Sequence, residues 1–319
     1  MNAAAIDLDD PATAVYRSTK SLHRVDSTAW IREGPTMRHR RRLDDWHIEF
    51  TPGEFPLQIS RPNPQSPTGL HWHTFTELVL VTAGAGLHTC GDDAYDLHLG
   101  DAFVVSGRHG YSDCRNLHLI NVLFDAAALG LPLAEARQLP GWQAFFAIEP
   151  ALRQQHGFRS RLRLDPASLA LAVGIVDDLQ RELESKRQGA RFVAIAHLMR
   201  LIDLLAPAFA GATNPDADEV LRLATVLGWM EAHHAEPVAL RRLAKLAEMS
   251  ERHFLRVFRA ATGATPIDWL IRRRLATASE RLRCGAPVTT AALAAGFTDP
   301  AYFSRQFRRV MGVPPSRWR

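Results

Sequence analysis

Between positions 71 and 77 the chain carries two histidines and a glutamate whose spacing suits ligand chemistry. His71, His73 and Glu77 share one parity, so on extended backbone all three side chains project to the same face. Two or three imidazoles with a carboxylate, pointing into a barrel, would suit iron, manganese, nickel or zinc. Without an ion, the same groups would hydrogen-bond an organic ligand or one another. A second set of chemically active residues is arginine. Arg256 and Arg259 recur 49 residues later as Arg305 and Arg308, and Arg252 precedes the first pair. The planar guanidinium fork matches phosphate oxygens and the N7/O6 edge of guanine.

The arginines belong to a longer repeat. Phe254, Arg256, Phe258, Arg259, Gly263, Pro266 and Trp269 return as Phe303, Arg305, Phe307, Arg308, Gly312, Pro315 and Trp318. In the first copy Ser250 caps a helix whose apolar stripe is Phe254, Val257, Phe258 and Ala261, and Gly263 ends it. Leu240 to Met249 supplies a short preceding helix and a tight turn, the arrangement of a helix-turn-helix. The second copy runs Thr289–Ala295, a turn at Gly296-Phe297-Thr298, then Asp299–Met311, with Pro300 at the first helical position. The breaker-free stretch Pro266–Arg283 joins them as a helix near 27 Å long, a strut for two recognition helices in major-groove segments about 34 Å apart. With the stripes inward, Arg252, Leu255, Arg256 and Arg259 face outward in the first unit. Ala301, Ser304, Arg305 and Arg308 do so in the second.

The histidines lie in a region of another texture. From Trp46 to Phe124 short apolar runs alternate with turn residues such as Gly84-Ala85-Gly86, Gly91-Asp92-Asp93 and Gly100-Asp101, the spacing of a β-sandwich or barrel. Past Ala126 the pattern turns helical. Leu169–Leu183 and Phe192–Leu205 step by three and four and pair as a hairpin across Gly189. Expected boundaries are a poorly ordered start over 1–45, a barrel domain with hairpin over 46–210, a linker over 211–218 and a DNA-binding domain over 219–319.

Charge divides along the same line. Residues 215–319 hold 17 Lys and Arg against 10 Asp and Glu, and 16 of the 17 are arginine; the remainder holds 21 against 24. A polyanion is therefore expected for the C-terminal part alone. No unbroken apolar run reaches the ~18 residues of a membrane span, and the acidic start lacks the plan of a signal peptide. Three cysteines without CxxC spacing argue against a disulfide framework or a structural zinc cluster. The chain reads as cytoplasmic, with no membrane partner.

Several motifs together resemble the AraC/XylS family of transcription regulators. They are Met249-Ser250, Phe254-x-Arg256-x-Phe258, Thr262-Gly263, Ala295-Gly296-Phe297-x-Asp299, Tyr302-Phe303-Ser304-x-x-Phe307 and Gly312-Val313-Pro314-Pro315 with Trp318-Arg319. The resemblance covers about 219–319 and implies base contacts from Arg252, Leu255, Arg256, Pro300, Ala301 and Arg305. Leu255, Pro300 and Ala301 have no side-chain hydrogen bond to offer, which leaves thymine-methyl contact or backbone positioning. The segment His71-Trp72-His73-x-x-x-Glu77…Gly84 resembles the first cupin motif. Gly100-Asp101 with His109 resembles the second, with Ser106 where proline is usual. In metal-binding cupins His71, His73, Glu77 and His109 would be the ligands. Sugar-responsive regulators of the AraC type, the rhamnose regulators among them, carry a similar segment in a barrel that binds an organic effector.

The expected architecture is α+β and multidomain: a cupin-like β-barrel with a helical hairpin, then an all-α domain with two helix-turn-helix units. The expected protein is a regulator, not an enzyme, with no cofactor; its effector site is His71, Trp72, His73, Glu77, His109 and Tyr111. The open alternatives are a metal on the histidine set, a cupin enzyme fused to a DNA-binding domain, and an architectural DNA binder without effector. Expected partners are double-stranded DNA, a small molecule, RNA polymerase and, through the hairpin, a second copy of the chain.

Overall fold

A computed structural model describes residues 37–42, 45–91, 93–105, 107–153, 162–211 and 215–318. They divide into two compact units: one runs up to Ala134 and resumes over Ala144–Leu221, and the other comprises Glu135–Gln143 and Arg222–Arg319.

The first unit is built on nine strands: β1 (Met37–Arg42), β2 (Asp45–Phe50), β3 (Leu57–Ser60), β4 (Thr68–His73), β5 (Thr76–Cys90), β6 (Asp93–His98), β7 (Asp101–Val105), β8 (His109–Phe124) and β9 (Leu162–Arg163). Their order is β1-β2-β4-β8-β5-β7-β9, with β3 on β8 and β6 on β5. All pairs are antiparallel except β2 with β4. The long strands β5 and β8 pair from Thr76↔Phe124 to Cys90↔His109, with register shifts between Val81 and Leu87. At that bend each passes from one set of neighbours to another, which curls the sheet. Gly84-Ala85-Gly86, expected as a turn, is this bulge inside one continuous strand. Gly84 sits at φ 71°, and a Cβ there would overlap the Asn116 carbonyl.

Inside the curl Val79, Val81, Leu97, Phe103, Val105, Tyr111, Leu117 and Leu119 form an apolar cluster. Helices α3 (Pro166–Glu184) and α4 (Ala190–Ala210) make the expected hairpin. Asp165 caps α3 through the Ala167 and Ser168 amides, and Arg61 ties it to the sheet by donating to Asp177 (2.5 Å) and Gln180 (2.7 Å). Among the described residues α4 is long and apolar enough to cross a membrane, with mean hydropathy 1.7. It packs on α3 and buries Leu198, Leu201, Ile202, Leu205 and Phe209.

Three boundaries need correction. The poorly ordered start lies outside the described residues through 36, but Met37–Arg42 is strand, its backbone groups paired from Met37↔Phe50 to Arg42↔Asp45. The linker is shorter than 211–218, because Pro215 opens helix α5 (Pro215–Ala232); residues 212–214 lie outside the described set. And 135–143, with the short helix α1 (Pro140–Trp142), joins the C-terminal unit although it lies within the expected barrel domain. Gly228 on α5 permits this: the Gln138 carbonyl occupies the place where a Cβ would stand. The chain then continues through a π-helical turn, Gln143–Ile148, into α2 (Glu149–Arg153).

The second unit carries α6 (Leu240–Leu246), α7 (Glu251–Thr262), α8 (Pro266–Arg283), α9 (Val288–Ala294) and α10 (Pro300–Met311). The repeat is structural as well as sequential. Ser250 caps α7 through the His253 amide and Asp299 caps α10 through the Ala301 amide. Gly263 and Gly312 close the two helices in the left-handed region. Pro266 opens α8 and its counterpart Pro315 opens a 3-10 turn, Pro315–Arg317. Phe254 and Phe258 meet at 5.4 Å and 61°, and so do Phe303 and Phe307.

Candidate functional site

In the C-terminal unit the outward set falls where the stripes leave it. Arg252, Leu255, Arg256 and Arg259 are exposed on α7, while Phe254, Val257, Phe258 and Ala261 are buried. On α10 Pro300, Ala301, Arg305 and Arg308 are exposed over buried Phe303, Phe307 and Met311. Ser304 is only half-exposed, and its hydroxyl donates to the Pro300 carbonyl at 2.9 Å, so it offers acceptor lone pairs rather than a proton. Arg256 shares a 3.0 Å contact with His253 Nδ1, and Arg305 lies 6.0 Å from the Tyr302 ring centre. α7 and α10 thus each present guanidinium groups from a face whose reverse side is pinned by aromatic packing.

In the N-terminal unit the ionisable groups are inside. His71 and His109 face each other across β4 and β8 as register partners, with ring centres 4.2 Å apart. His73 Nε2 lies 2.9 Å from Glu77 Oε2, and His109 Nε2 lies 3.4 Å from the same oxygen. All four are buried, His109 completely. Backbone carbonyls fix two of the rings: His73 Nδ1 donates to Phe75 O at 2.7 Å and His71 Nδ1 to Gly69 O at 3.1 Å. Burial, joined by the neighbouring His71, His73 and His88, holds His109 well below the usual imidazole range. Tyr111 lies beside His109, and burial raises its phenol well above the ordinary value.

Trp72 does not share this site. Strand alternation turns it away from its two histidine neighbours, and it stacks on His47 at 3.9 Å and 22°. Sequence reasoning missed His88, whose Nε2 lies 3.4 Å from His109 Nδ1 and whose ring is wholly buried. Its signal was present: Gly86, His88 and Cys90 are the alternating buried positions of β5. Burial, then Arg153 and His71, depress His88 in turn. Arg153, buried and ion-paired with Glu149, was also missed; it stacks over Phe103 (5.0 Å) and Tyr95 (5.2 Å). No periodicity announced that pair. His88 Nδ1, His109 Nε2, Tyr111 Oη and Arg153 Nε are buried without a hydrogen-bond partner. Such atoms cost about 1–3 kcal/mol each when nothing satisfies them. A separate concavity of about 680 Å³ lies between the sheet and α3, lined by Arg61, Thr82, Leu99, His118, Val173 and Asp177. It contains none of the histidine set.

Comparison with known proteins covers both units. A family described as an AraC-like ligand binding domain matches residues 58–202, and one described as a helix-turn-helix domain matches 243–319. The HTH-type transcriptional activator RhaS of Citrobacter koseri is 31% identical over 280 residues, covering 84% of this chain and 94% of its own length. RhaS of Pectobacterium carotovorum is 30% identical, covering 87% and 96%. The HTH-type transcriptional activator RhaR of Escherichia coli is 28% identical, covering 89% and 98%.

Proposed function

The chain belongs to the AraC family of transcription regulators, and we propose that α7 and α10 read DNA while the barrel interior binds the small molecule that governs that reading. One observation carries the DNA half. Two capped helices with the same buried phenylalanine pair present Arg256 and Arg305 at equivalent exposed positions. Helices of this kind enter adjacent major-groove segments, where an outward arginine reaches guanine and its neighbours fix the register on phosphate. Arg252 and Arg259 serve the first helix; Pro300, Ala301, Ser304 and Arg308 serve the second. Sequence selection with the purified chain is expected to enrich two short elements about one helical turn (~34 Å) apart. Enrichment of a single element would remove one of the two helices from recognition.

For the effector half, support comes from the unsatisfied polar atoms of His88, His109, Tyr111 and Arg153 beside His71, His73 and Glu77. A ligand with several hydroxyl or carboxylate oxygens, a sugar or related metabolite, would pair with them. Binding to the native state raises stability, by about 2.7 kcal/mol at a hundredfold excess over Kd, so a thermal melt across such compounds is the assay. The relatives' designation as transcriptional activators extends the proposal to contact with RNA polymerase. A second copy would dock through the α3–α4 hairpin, where Phe192 and Leu171 are 77% and 51% exposed. Sedimentation of a Phe192→Asp variant tests that pairing, and unchanged mass would dismiss it.

A further inference from the structure

We propose that the two helix pairs hold DNA by different means. The pair α6–α7 grips the phosphate backbone through Arg241 and Lys245, whereas α9–α10 has no cation at the matching positions and holds by base sequence and duplex shape. This division of labour rests on the reading of α7 and α10 given above. The matching positions follow from the backbone. In the first pair the Ala247 amide donates to Leu243 O and the Met249 amide to Ala244 O; in the second, Ala295 donates to Ala291 O and Phe297 to Ala292 O. The residue inside each turn stands in the left-handed region, Glu248 at φ 54° and Gly296 at φ 89°. The first helices therefore correspond at an offset of 48 residues. The second helices correspond at 49, because Thr298 adds one residue ahead of the Asp299 cap. Buried Leu243 and Ala244 fall on buried Ala291 and Ala292, as that register requires.

In this register every cation of α6 has a neutral counterpart. Arg241 falls on Thr289, Arg242 on Thr290 and Lys245 on Leu293, and all six are exposed. Arg242 is engaged within the fold: its guanidinium lies 4.4 Å from the Trp229 ring centre on α5. Arg241 and Lys245 stand one turn apart on the same face and make no ion pair or hydrogen bond among the described residues. The imbalance continues into α7, where exposed Arg252 falls on Ala301; Arg309 of α10 returns one cation opposite Ala260. Residues 240–262 hold six Lys and Arg, and residues 288–311 hold three.

In a helix-turn-helix the second helix lies in the major groove while the first crosses the backbone. A lysine or arginine on the outer face of the first helix therefore meets phosphate, and a threonine or leucine there neutralises nothing. Each phosphate neutralised releases counterions and adds about 0.9 to the slope of log K against log salt. From α6 comes affinity that any duplex receives, so this pair anchors the chain on DNA of every sequence. Engagement of α9–α10 depends instead on a matching base sequence and on groove shape. A small free-energy bias then moves the second pair on or off DNA without releasing the first.

The test measures affinity of the full chain from about 50 to 200 mM salt. The probes are duplexes carrying both selected elements, either element alone, or a scrambled sequence. Arg241→Ala and Lys245→Ala should each lower the slope by about one on every duplex, so each loses about threefold less affinity than wild type across that range. The converse change is Thr289→Arg with Leu293→Lys, both at exposed positions. Together they should steepen the slope by about two on the duplex with both elements and strengthen binding to the α10 element alone. Wild-type slopes in both alanine variants overturn the grip. An unchanged slope in the Thr289→Arg, Leu293→Lys chain overturns the matching of α9 to α6. Failure to select any element removes the reading of α7 and α10, while slopes on the scrambled duplex still decide the grip. Normal selection with slopes untouched removes the grip alone.

Discussion

The two domains bury opposite things. Around α7 and α10 the interior is phenylalanine, leucine and alanine, and the arginines stand in solvent. In the barrel, imidazoles, a carboxylate and a phenol are inside, several with unpaired atoms. The contrast teaches how stability and function are coupled in each. On the DNA-binding domain the arginines proposed to read DNA hang from a finished fold, so they can be lost without unfolding it. In the barrel the ionisable groups are themselves part of the interior, and on the effector reading proposed above their unpaired atoms are stability given up for a ligand.

The largest effect that would break this comparison is in the aromatic pairs. Phe258→Ala and Phe307→Ala should each cost about 3–5 kcal/mol in chemical denaturation, because each leaves a cavity in a close-packed core. A cost below ~1 kcal/mol for either would mean that the two units are not equivalently packed. Next come the arginines. Arg256→Ala and Arg305→Ala should each weaken specific DNA binding by about 1–3 kcal/mol and relax one base position, with the denaturation midpoint unchanged. Equal losses on scrambled DNA would reduce both to phosphate contacts.

The caps sharpen the comparison within the C-terminal domain. Ser250→Ala and Asp299→Ala should each cost about 1 kcal/mol, since both side chains accept from a first-turn amide. Tyr111→Phe should run the other way: its hydroxyl is buried without a partner, so removal should be neutral or stabilising within ~1 kcal/mol while weakening the effector response. Clear destabilisation would mean the hydroxyl is already satisfied. The smallest effect is kinetic. Burial pushes the Cys90 thiol up to about 12, so at pH 8 it stays protonated and resists alkylation until the chain unfolds, whereas exposed Cys284 labels at once.

How much was legible differs between the halves for the same reason. The caps at Ser250 and Asp299, the terminating glycines and the i, i+3, i+4 stripes are local signals, so α7, α8 and α10 were readable almost to their ends. In the barrel only parity was local. It grouped His71, His73 and Glu77 correctly and placed Trp72 wrongly, since the residue between two inward histidines must face out. Gly84-Ala85-Gly86 reads as a turn because a bulge and a turn use the same residues. His88 showed only as an alternating position on β5, and Arg153 with Glu149 showed not at all.

Sequence alone therefore determined the family, the two capped helices with their outward arginines, and the presence of an imidazole–carboxylate set. Tertiary structure decided which groups meet. The pairing of β4 with β8 brings His71 onto His109 across 38 residues of chain, and the bend in β5 and β8 turns His88 toward them. Those contacts are non-local: strand register sets them, and register depends on pairing between strands far apart in the chain. Helix faces follow from a period of 3.6 residues that every short segment carries by itself.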